Sequence, residues 1–294
     1  MVKYFLLFIF LSVINGQDDL LEFFDDDSEA PILVKAAFKG TRVVNAQSLE
    51  IPRPQILQFM IQHRFGSIEN GFYDLFGMDE ASIRFDLQYG FTDRLALGIG
   101  RSTLNKTYDL LLKTKLLRQM SGLKGFPVSI LWFSNLGINT QRRSESDPTV
   151  RDEFANRFSY AHQLIIGRKF NNYLSLEILP TLIHRNLVPT KEDKHDLLSI
   201  GVAGRWKLSN RFSLNGDCFL PIGERDETFQ TGWAIGVDIE TGGHIFQIMM
   251  TNARGSYEGA YIEEATGILA EGTIYLGFNI SRAFSIASAD SGRW

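Results

Sequence analysis

The sequence has little of three things: cysteine, long apolar runs and an excess of basic charge. Its 294 residues include one cysteine, Cys218, which cannot form an intramolecular disulfide bond. The most apolar stretch, residues 4–14, is too short to cross a bilayer as a helix. The 30 Lys and Arg residues are outnumbered by 34 Asp and Glu residues, which gives a net charge of −4. These features argue against a disulfide-stabilised fold, a bundle of transmembrane helices and a nucleic-acid-binding protein.

Three similar phrases recur along the chain, each a short polar turn followed by alternating apolar residues. They are Phe91-Thr-Asp-Arg-Leu-Ala-Leu97, Phe170-Asn-Asn-Tyr-Leu-Ser-Leu176 and Leu208-Ser-Asn-Arg-Phe-Ser-Leu214. Thr, Ser, Asn and Asp favour tight turns because their side chains accept hydrogen bonds from nearby backbone N–H groups. The repeats therefore predict a series of β-hairpins.

The runs beside these turns alternate between apolar and polar residues with a period of two. Residues 82–89 show this most clearly, because Ile83, Phe85 and Leu87 alternate with Arg84 and Asp86. The runs are about ten residues long, which is the length that a tilted strand needs to cross a bilayer. We predict twelve strands, at residues 55–66, 80–90, 94–102, 107–118, 127–137, 156–169, 173–185, 195–207, 211–221, 229–240, 244–252 and 272–284.

The predicted connections alternate between short turns and longer, more polar or glycine-rich loops. An outer-membrane β-barrel segregates its connections in this way, whereas a soluble sandwich has no reason to do so. A mean hydropathy of −0.07 suits a barrel because every second strand residue is polar. The predicted fold is all-β: a single transmembrane antiparallel up-and-down β-barrel of about 12 strands in the outer membrane. A secreted β-sandwich or lipocalin-like carrier is the soluble alternative.

Four regions are predicted from the N-terminus to the C-terminus. Residues 1–16 combine Lys3, an apolar run and small or polar residues, as in a signal peptide cleaved after Gly16. Residues 17–54 form an acidic, largely irregular lead-in, with one short strand near residues 38–44 and too little length for a folded plug domain. Residues 55–284 form the barrel, and residues 285–294 form a C-terminal tail.

Three features predict interactions with other molecules. The acidic residues 18–29 are interpreted as a disordered charge block or, alternatively, as a docking peptide for a periplasmic partner. The last strand alternates apolar residues up to Phe284, which resembles the signal that the outer-membrane insertion machinery recognises. The outward stripes are expected to contact outer-membrane lipid, with an aromatic girdle beside the short turns formed by Tyr89, Phe91, Phe170, Tyr173, Trp206 and Phe212.

Charged residues on the opposite strand faces are the candidate lumen-lining residues. They are Arg64, Arg84, Asp86, Lys113, Lys115, Glu177, Arg205, Asp217, Asp238, Glu240 and Arg282. Such charges either pair across strands and fill a narrow lumen, or line a water-filled path and set its selectivity. A barrel of this size lies between side-chain-filled barrels and open porins. We therefore favour a narrow or loop-gated conduit for small solutes, and residues 253–271 are a candidate constriction. The alternative is a non-conducting structural or partner-binding barrel that anchors a periplasmic or surface complex.

Catalytic and metal-binding patterns are weak. Ser159 is the nearest serine to His162 on the same predicted strand, but a spacing of three places their side chains on opposite faces. No Gly-x-Ser-x-Gly motif is present, which leaves open only a Ser–His pair assembled across strands. Asp193 and His195 lack the ligand number and spacing of a metal site. We predict neither an enzyme nor a bound cofactor.

Several short motifs resemble a known family. They are His63-Arg-Phe-Gly66, Gly71-Phe-Tyr-Asp-Leu-Phe-Gly77 and the run from Tyr89 to Ser102 followed by Lys106-Thr-Tyr108. The sequence resembles an uncharacterised family of Gram-negative membrane-bound β-barrel proteins from residue 38 to the C-terminus, most densely over residues 63–119. The resemblance implies an outer-membrane barrel and assigns no substrate or catalytic residue.

Overall fold

The computed structural model describes residues 31–122, 125–142, 153–188, 193–223 and 228–286. The predicted signal peptide, the acidic residues 18–29 and residues 287–294 of the predicted C-terminal tail lie outside these ranges. Among the described residues, no helix is long and apolar enough to span a membrane.

Twelve antiparallel strands form a closed up-and-down barrel in which the last strand pairs with the first. This confirms the predicted fold class, and no predicted strand boundary differs from the observed one by more than three residues. The strands are β1 Ile56–Ser67, β2 Ala81–Gly90, β3 Leu95–Ser102, β4 Thr107–Leu117, β5 Ser129–Asn139, β6 Phe158–Lys169, β7 Leu174–Arg185, β8 Asp196–Lys207, β9 Phe212–Ile222, β10 Gly232–Thr241, β11 His244–Thr251 and β12 Tyr275–Ser285.

Successive side chains of each strand point alternately into the barrel and away from it. On β2, Arg84 and Asp86 are buried inside, whereas Phe85 between them is 44% exposed on the outside. Apolar side chains such as Ile99 and Ile248 are likewise exposed on the outer surface. The outer surface of the strands is therefore mainly apolar, and the inner surface carries the buried polar and charged side chains.

The three repeated phrases form the same turn. Thr92 Oγ1 accepts hydrogen bonds from the backbone N–H groups of Arg94 and Leu95 at 3.1 and 3.0 Å. Asn171 Oδ1 and Ser209 Oγ accept equivalent pairs of N–H groups in their own turns. We call the end of the barrel that carries these turns the turn side, and the opposite end, which carries the longer connections, the loop side.

The segment before β1 enters the barrel from the turn side. A two-residue strand, Ile32–Leu33, pairs with Met120–Ser121 in the connection between β4 and β5 and holds the segment at that end. Residues 38–51 then run into the lumen and back, and we call them the luminal hairpin. The predicted strand near residues 38–44 is wrong, because the hairpin contains a single antiparallel bridge between Arg42 and Gln47 instead.

Both arms of the luminal hairpin lie at the turn side. The backbone N–H of Ala37 donates to Glu50 Oε1 at 2.9 Å, which joins the beginning of the hairpin to its end. The chain then leaves the lumen, and the N–H of Gln55 donates to the carbonyl of Gly90. Only glycine fits at position 90, because a Cβ there would overlap the carbonyl oxygen of Arg53.

The connection between β11 and β12, residues 252–274, enters the lumen from the loop side, and we call it the inward loop. Its short helical turn Gly259–Glu263 is largely buried, and the Tyr261 ring lies 5.3 Å from the ring of Phe219 on β9. The inward loop and the luminal hairpin therefore occupy the lumen from opposite ends.

Candidate functional site

The wall of the lumen has an apolar side and a polar side. Strands β4–β9 carry most of the large apolar side chains that point inward, and these pack with apolar residues of the luminal hairpin. The wall residues are Leu111, Leu131, Phe133, Ile165, Leu179, Ile183 and Phe219, and the hairpin residues are Phe38, Val43, Val44 and Leu49. Most charged groups in the middle of the lumen lie instead on β1, β2, β4, β9 and β10.

Asp217 on β9 holds the tip of the luminal hairpin. Its Oδ2 atom accepts hydrogen bonds from the backbone N–H groups of Val44, Asn45 and Ala46 at 3.1, 2.8 and 3.0 Å. Asp217, Val44, Asn45 and Ala46 are all buried, so neither the carboxylate nor its three donors have access to bulk water. A buried carboxylate with three backbone donors is a strong, charge-assisted contact.

Two cations of the wall hold other parts of the hairpin. Lys113 Nζ donates to the carbonyl oxygens of Thr41 at 2.6 Å and Ser48 at 3.3 Å. Arg64 Nη2 donates to Asn45 Oδ1 at 2.9 Å. The hairpin is therefore held mainly through its own backbone, for which both an anion and cations of the wall supply partners.

A second charged cluster braces the wall without contacting the hairpin. Arg84 donates to Asp86 Oδ2 at 2.6 Å and to both oxygens of Asp109, at 2.7 and 3.1 Å. Its Nη1 also donates to Gln62 Oε1 at 2.7 Å. These four residues lie on β1, β2 and β4, so the cluster ties lumen-facing positions of three strands together.

Two amide side chains and Asp238 complete the polar side. Gln247 Nε2 donates to Asp238 Oδ1 and also to the carbonyl of Val43 in the hairpin, the latter at 2.6 Å. Asn279 Nδ2 donates to Gln247 Oε1 at 2.7 Å. Asp238 thus supports the hairpin through the amide of Gln247.

Glu258 joins the luminal hairpin to the inward loop. Its Oε1 atom accepts hydrogen bonds from Gln47 Nε2 at 2.7 Å, from Arg42 Nη2 at 3.3 Å and from the hydroxyl of Tyr261 at 3.3 Å. Arg42 and Glu258 side chains are each 1% exposed. The two segments that fill the lumen are therefore connected to each other and not only to the wall.

Weaker ion pairs lie at the turn-side mouth. Lys39 of the hairpin approaches Glu240 at 2.7 Å, and Arg205 lies 3.6 Å from the same carboxylate. Lys115 lies 3.6 Å from Glu50. Apart from Arg205, whose side chain is buried, these groups are partly exposed, so the pairs of Lys39 and Lys115 contribute little stability compared with the buried contacts above.

Ten of the eleven predicted lumen-lining residues point into the lumen: Arg64, Arg84, Asp86, Lys113, Lys115, Glu177, Arg205, Asp217, Asp238 and Glu240. The prediction for Arg282 is wrong. Its position on β12 has the same parity as the outward-facing Ile280 and Phe284, and its guanidinium lies 4.9 Å from the ring of Phe284. The luminal hairpin, which supplies partners to Arg64, Lys113, Lys115, Asp217 and Glu240, was not predicted to enter the lumen, whereas residues 253–271 of the inward loop were a candidate constriction.

A Ser–His pair does form across strands, on the outer face of the barrel. Ser134 Oγ lies 2.9 Å from His162 Nδ1, and Trp132 Nε1 donates to the same oxygen at 2.8 Å. These two hydrogen bonds give partners to polar side chains that lie among the apolar residues of the outer face. Within the described part of the chain no hydrogen bond links the imidazole to a carboxylate, and no three His, Cys, Asp or Glu residues group as metal ligands.

Cavities of the described part of the chain lie at both ends of the lumen, beside the segments that fill it. A turn-side vestibule of about 890 Å³ surrounds the arms of the luminal hairpin. A smaller space of about 140 Å³ lies at the loop side between Asn135, Arg185 and Tyr257. Burial raises the pKa of the Tyr257 hydroxyl above its usual value, and that hydroxyl accepts a hydrogen bond from Asn105 at 3.0 Å.

Three of the solved structures that are similar to this chain are two porins and an outer membrane channel. The NanC porin is 10% identical over 78% of this chain and 100% of its own, with a TM-score of 0.48. The KdgM porin is 6% identical over 77% and 99%, with a TM-score of 0.46. An outer membrane channel from Pseudomonas putida F1 is 13% identical over 80% and 97%, with a TM-score of 0.47. At these identities and TM-scores the similarities carry no argument about substrate or mechanism.

No curated protein matches the sequence. The model of one family does match, over residues 38–284, and its description is a membrane-bound β-barrel domain (DUF5777). The match begins at the luminal hairpin and ends in β12, so it covers the barrel together with the segment that fills it. The chain therefore belongs to this family of membrane-bound β-barrel proteins.

Proposed function

We propose that this protein is a gated conduit for small solutes in the outer membrane, closed by the luminal hairpin and the inward loop. The observation that carries the proposal is the path of the hairpin, which enters and leaves the lumen at the turn side. Such a segment can withdraw without any chain end passing through the barrel. Withdrawal would expose the inward-facing charges of the wall to water.

The chemistry of the hairpin contacts supports the same proposal. Asp217 and Lys113 bind backbone groups of the hairpin, and water can replace each of these partners when the hairpin leaves. The opened wall would then carry groups of both charges, which set ion selectivity in a narrow pore. Gating would require both closing segments to move, because Glu258 joins them.

Export and insertion into the outer membrane belong to the same proposal. The signal-peptide pattern of residues 1–16 supports export, and the alternation of β12 up to Phe284 supports recognition by the insertion machinery. The exposed apolar stripes of the outer surface support contact with lipid. We assign no enzymatic reaction to the barrel.

A non-conducting structural or partner-binding barrel is the second candidate. The observation that favours it is the apolar packing of the hairpin against β4–β9, which stabilises a filled lumen. In that case the barrel would anchor a periplasmic or surface complex, with the acidic residues 18–29 as a docking peptide for a periplasmic partner.

Single-channel recording in a planar bilayer separates the two candidates. The comparison uses the unmodified protein and a variant in which residues 41–48 of the hairpin and residues 256–263 of the inward loop are replaced by Gly and Ser residues, so that both segments keep their length but lose their side-chain contacts. A conduit predicts rare openings of the unmodified protein and frequent ohmic steps of the variant. As a control, a Gly/Ser replacement of eight residues is made at residues 68–75 of another loop-side connection.

A variant that inserts, resists protease and shifts its electrophoretic mobility on heating, yet stays silent, would contradict the conduit and favour the structural barrel. A salt gradient across the bilayer adds a second readout. If the inward-facing charges line the open path, Asp238→Asn in the open variant will shift the reversal potential towards anion selectivity.

A further inference from the structure

The turn-side vestibule is a cavity with an unusual balance of charge. Six cationic residues line it, five inside the cavity and Arg282 at its rim, against two acidic residues, Glu50 and Asp93, in a chain whose net charge is negative. The five inside are Lys35, Lys39, Arg53, Lys115 and Arg118, whereas the guanidinium of Arg282 faces outward. The vestibule is therefore a positively charged site at the mouth of an acidic protein.

Half of these cations have no partner in the described part of the chain. Lys39 and Lys115 form ion pairs, and Arg282 lies over an aromatic ring. Within the described ranges, Lys35, Arg53 and Arg118 make neither a side-chain hydrogen bond nor an ion pair. The two oxygens of Glu50 are already engaged by backbone N–H groups and by Lys115, so this carboxylate does not neutralise them.

The vestibule is also partly apolar. Side chains that line it between the cations include Val34, Ala37, Ile51, Leu117 and Ile245. An occupant that matches both properties must carry several negative charges and a few apolar side chains at once. A small inorganic anion would satisfy only the first requirement.

The chain itself contains such an occupant next to the vestibule. Residues 18–29 read Asp-Asp-Leu-Leu-Glu-Phe-Phe-Asp-Asp-Asp-Ser-Glu, which is seven acidic residues, no basic residue and a centre of two Leu and two Phe. They lie outside the described residues. The described chain resumes at Pro31, and residues 32–33 are paired to the turn side, directly before the vestibule lining begins at Val34.

We propose that the turn-side vestibule is the binding site of the chain's own acidic segment, residues 18–29. Its carboxylates would face Lys35, Arg53 and Arg118, and its Leu and Phe side chains would pack on the apolar part of the cavity. The short connection to residues 32–33 gives the segment an effective concentration that a free solute does not reach. The inference holds whether or not the barrel conducts, because it concerns the mouth and not the lumen.

Distance measurement between two spin labels in the full chain tests this directly. Labels are attached at Gln17→Cys and Gln58→Cys in a Cys218→Ser background; Gln58 lines the vestibule, and neither position supplies a proposed contact. If residues 18–29 bind in the vestibule, the distance distribution should be narrow at about 0.05 M salt. It should become broad at about 1 M salt, where exposed charges are screened. The double variant Arg53→Gln/Arg118→Gln should show the broad distribution already at low salt. Phe23→Ser/Phe24→Ser should broaden it as well.

The matched control is Arg94→Gln/Arg211→Gln, which removes two turn-side cations that do not line the vestibule and should leave the narrow distribution unchanged. A broad distribution of the unmodified chain at low salt would overturn the proposal. So would a narrow one that survives both high salt and loss of Arg53 and Arg118. Adding millimolar citrate at constant ionic strength tests whether a free polycarboxylate displaces the segment. Loss of the narrow distribution would show that the vestibule prefers the free solute and would refute the docking of the segment.

Discussion

Replacing Asp217 by alanine should release the tip of the luminal hairpin while leaving the barrel closed. The carboxylate is the acceptor for the backbone N–H groups of Val44, Asn45 and Ala46, and all four groups are buried. Leaving a buried donor without a partner costs about 1 to 3 kcal/mol. Water that enters the space of the missing carboxylate recovers part of this cost, so the lower end, about 1 kcal/mol for each donor, is the expected loss.

The losses for the three donors sum to about 3 kcal/mol. This loss should lower the free energy of local opening of the hairpin rather than the free energy of global unfolding. Since about 1.4 kcal/mol corresponds to a tenfold change in an equilibrium constant, amide hydrogen exchange of residues 44–46 should become about 100-fold faster. Hydrogen exchange with mass spectrometry of peptides covering residues 40–50 measures this. Amides of β5 and β6 should exchange as in the unmodified protein.

Two further variants make the test specific. Asp217→Asn keeps one oxygen acceptor but no charge, so its effect should be smaller than that of Asp217→Ala. Asp196→Ala removes an exposed carboxylate at the loop-side end of β8, paired with His184, and should not change exchange in residues 44–46. Unchanged exchange in a folded Asp217→Ala barrel would refute the assignment of Asp217 as the anchor of the hairpin.

Three other substitutions address the outer surface, the wall and the connection between the closing segments. Ile235→Arg places a charge on the outward face of β10 and should lower the free energy of unfolding by about 2 to 4 kcal/mol in a lipid-refolding titration, with Ile235→Leu as the control. Arg84→Met leaves Asp86 and Asp109 buried without their cation, and a loss of about 3 to 5 kcal/mol is expected in the same titration; a loss below 1 kcal/mol would contradict the closed cluster. Glu258→Gln should accelerate hydrogen exchange in the hairpin and in the inward loop together, whereas acceleration in only one of them would show that the two segments open independently.

The barrel could be predicted from the sequence because its determinants are local. Strand alternation has a period of two, and the polar turns at Thr92, Asn171 and Ser209 use side-chain oxygens within the same few residues. Neither signal depends on distant parts of the chain. Arg282 was assigned to the wrong face because its charge was given more weight than its parity with Ile280 and Phe284, and near the end of a strand a charged side chain can face outward.

The luminal hairpin could not be predicted in the same way, because its contacts join residues far apart in sequence: Thr41 and Lys113 are 72 positions apart, and Ala46 and Asp217 are 171 positions apart. One signal was nevertheless present in the strands. Residues 130–133 are Ile-Leu-Trp-Phe and residues 164–166 are Leu-Ile-Ile, so apolar side chains occupy both faces of β5 and β6. In a barrel this pattern indicates that something apolar fills the lumen beside those strands. In the structure, Leu131 and Ile165 belong to one apolar cluster with residues of the hairpin.

The path of the luminal hairpin also determines the order in which the molecule can be assembled. The hairpin precedes β1 in the chain, yet it lies inside a cylinder that closes only when β12 pairs with β1. Because both of its arms are at one end, the cylinder can close first around a wet interior and the hairpin can dock afterwards, with no threading and no knot. Insertion of the strands into the bilayer and drying of the lumen are therefore separable events, and a hairpin variant that never docks still leaves a complete barrel.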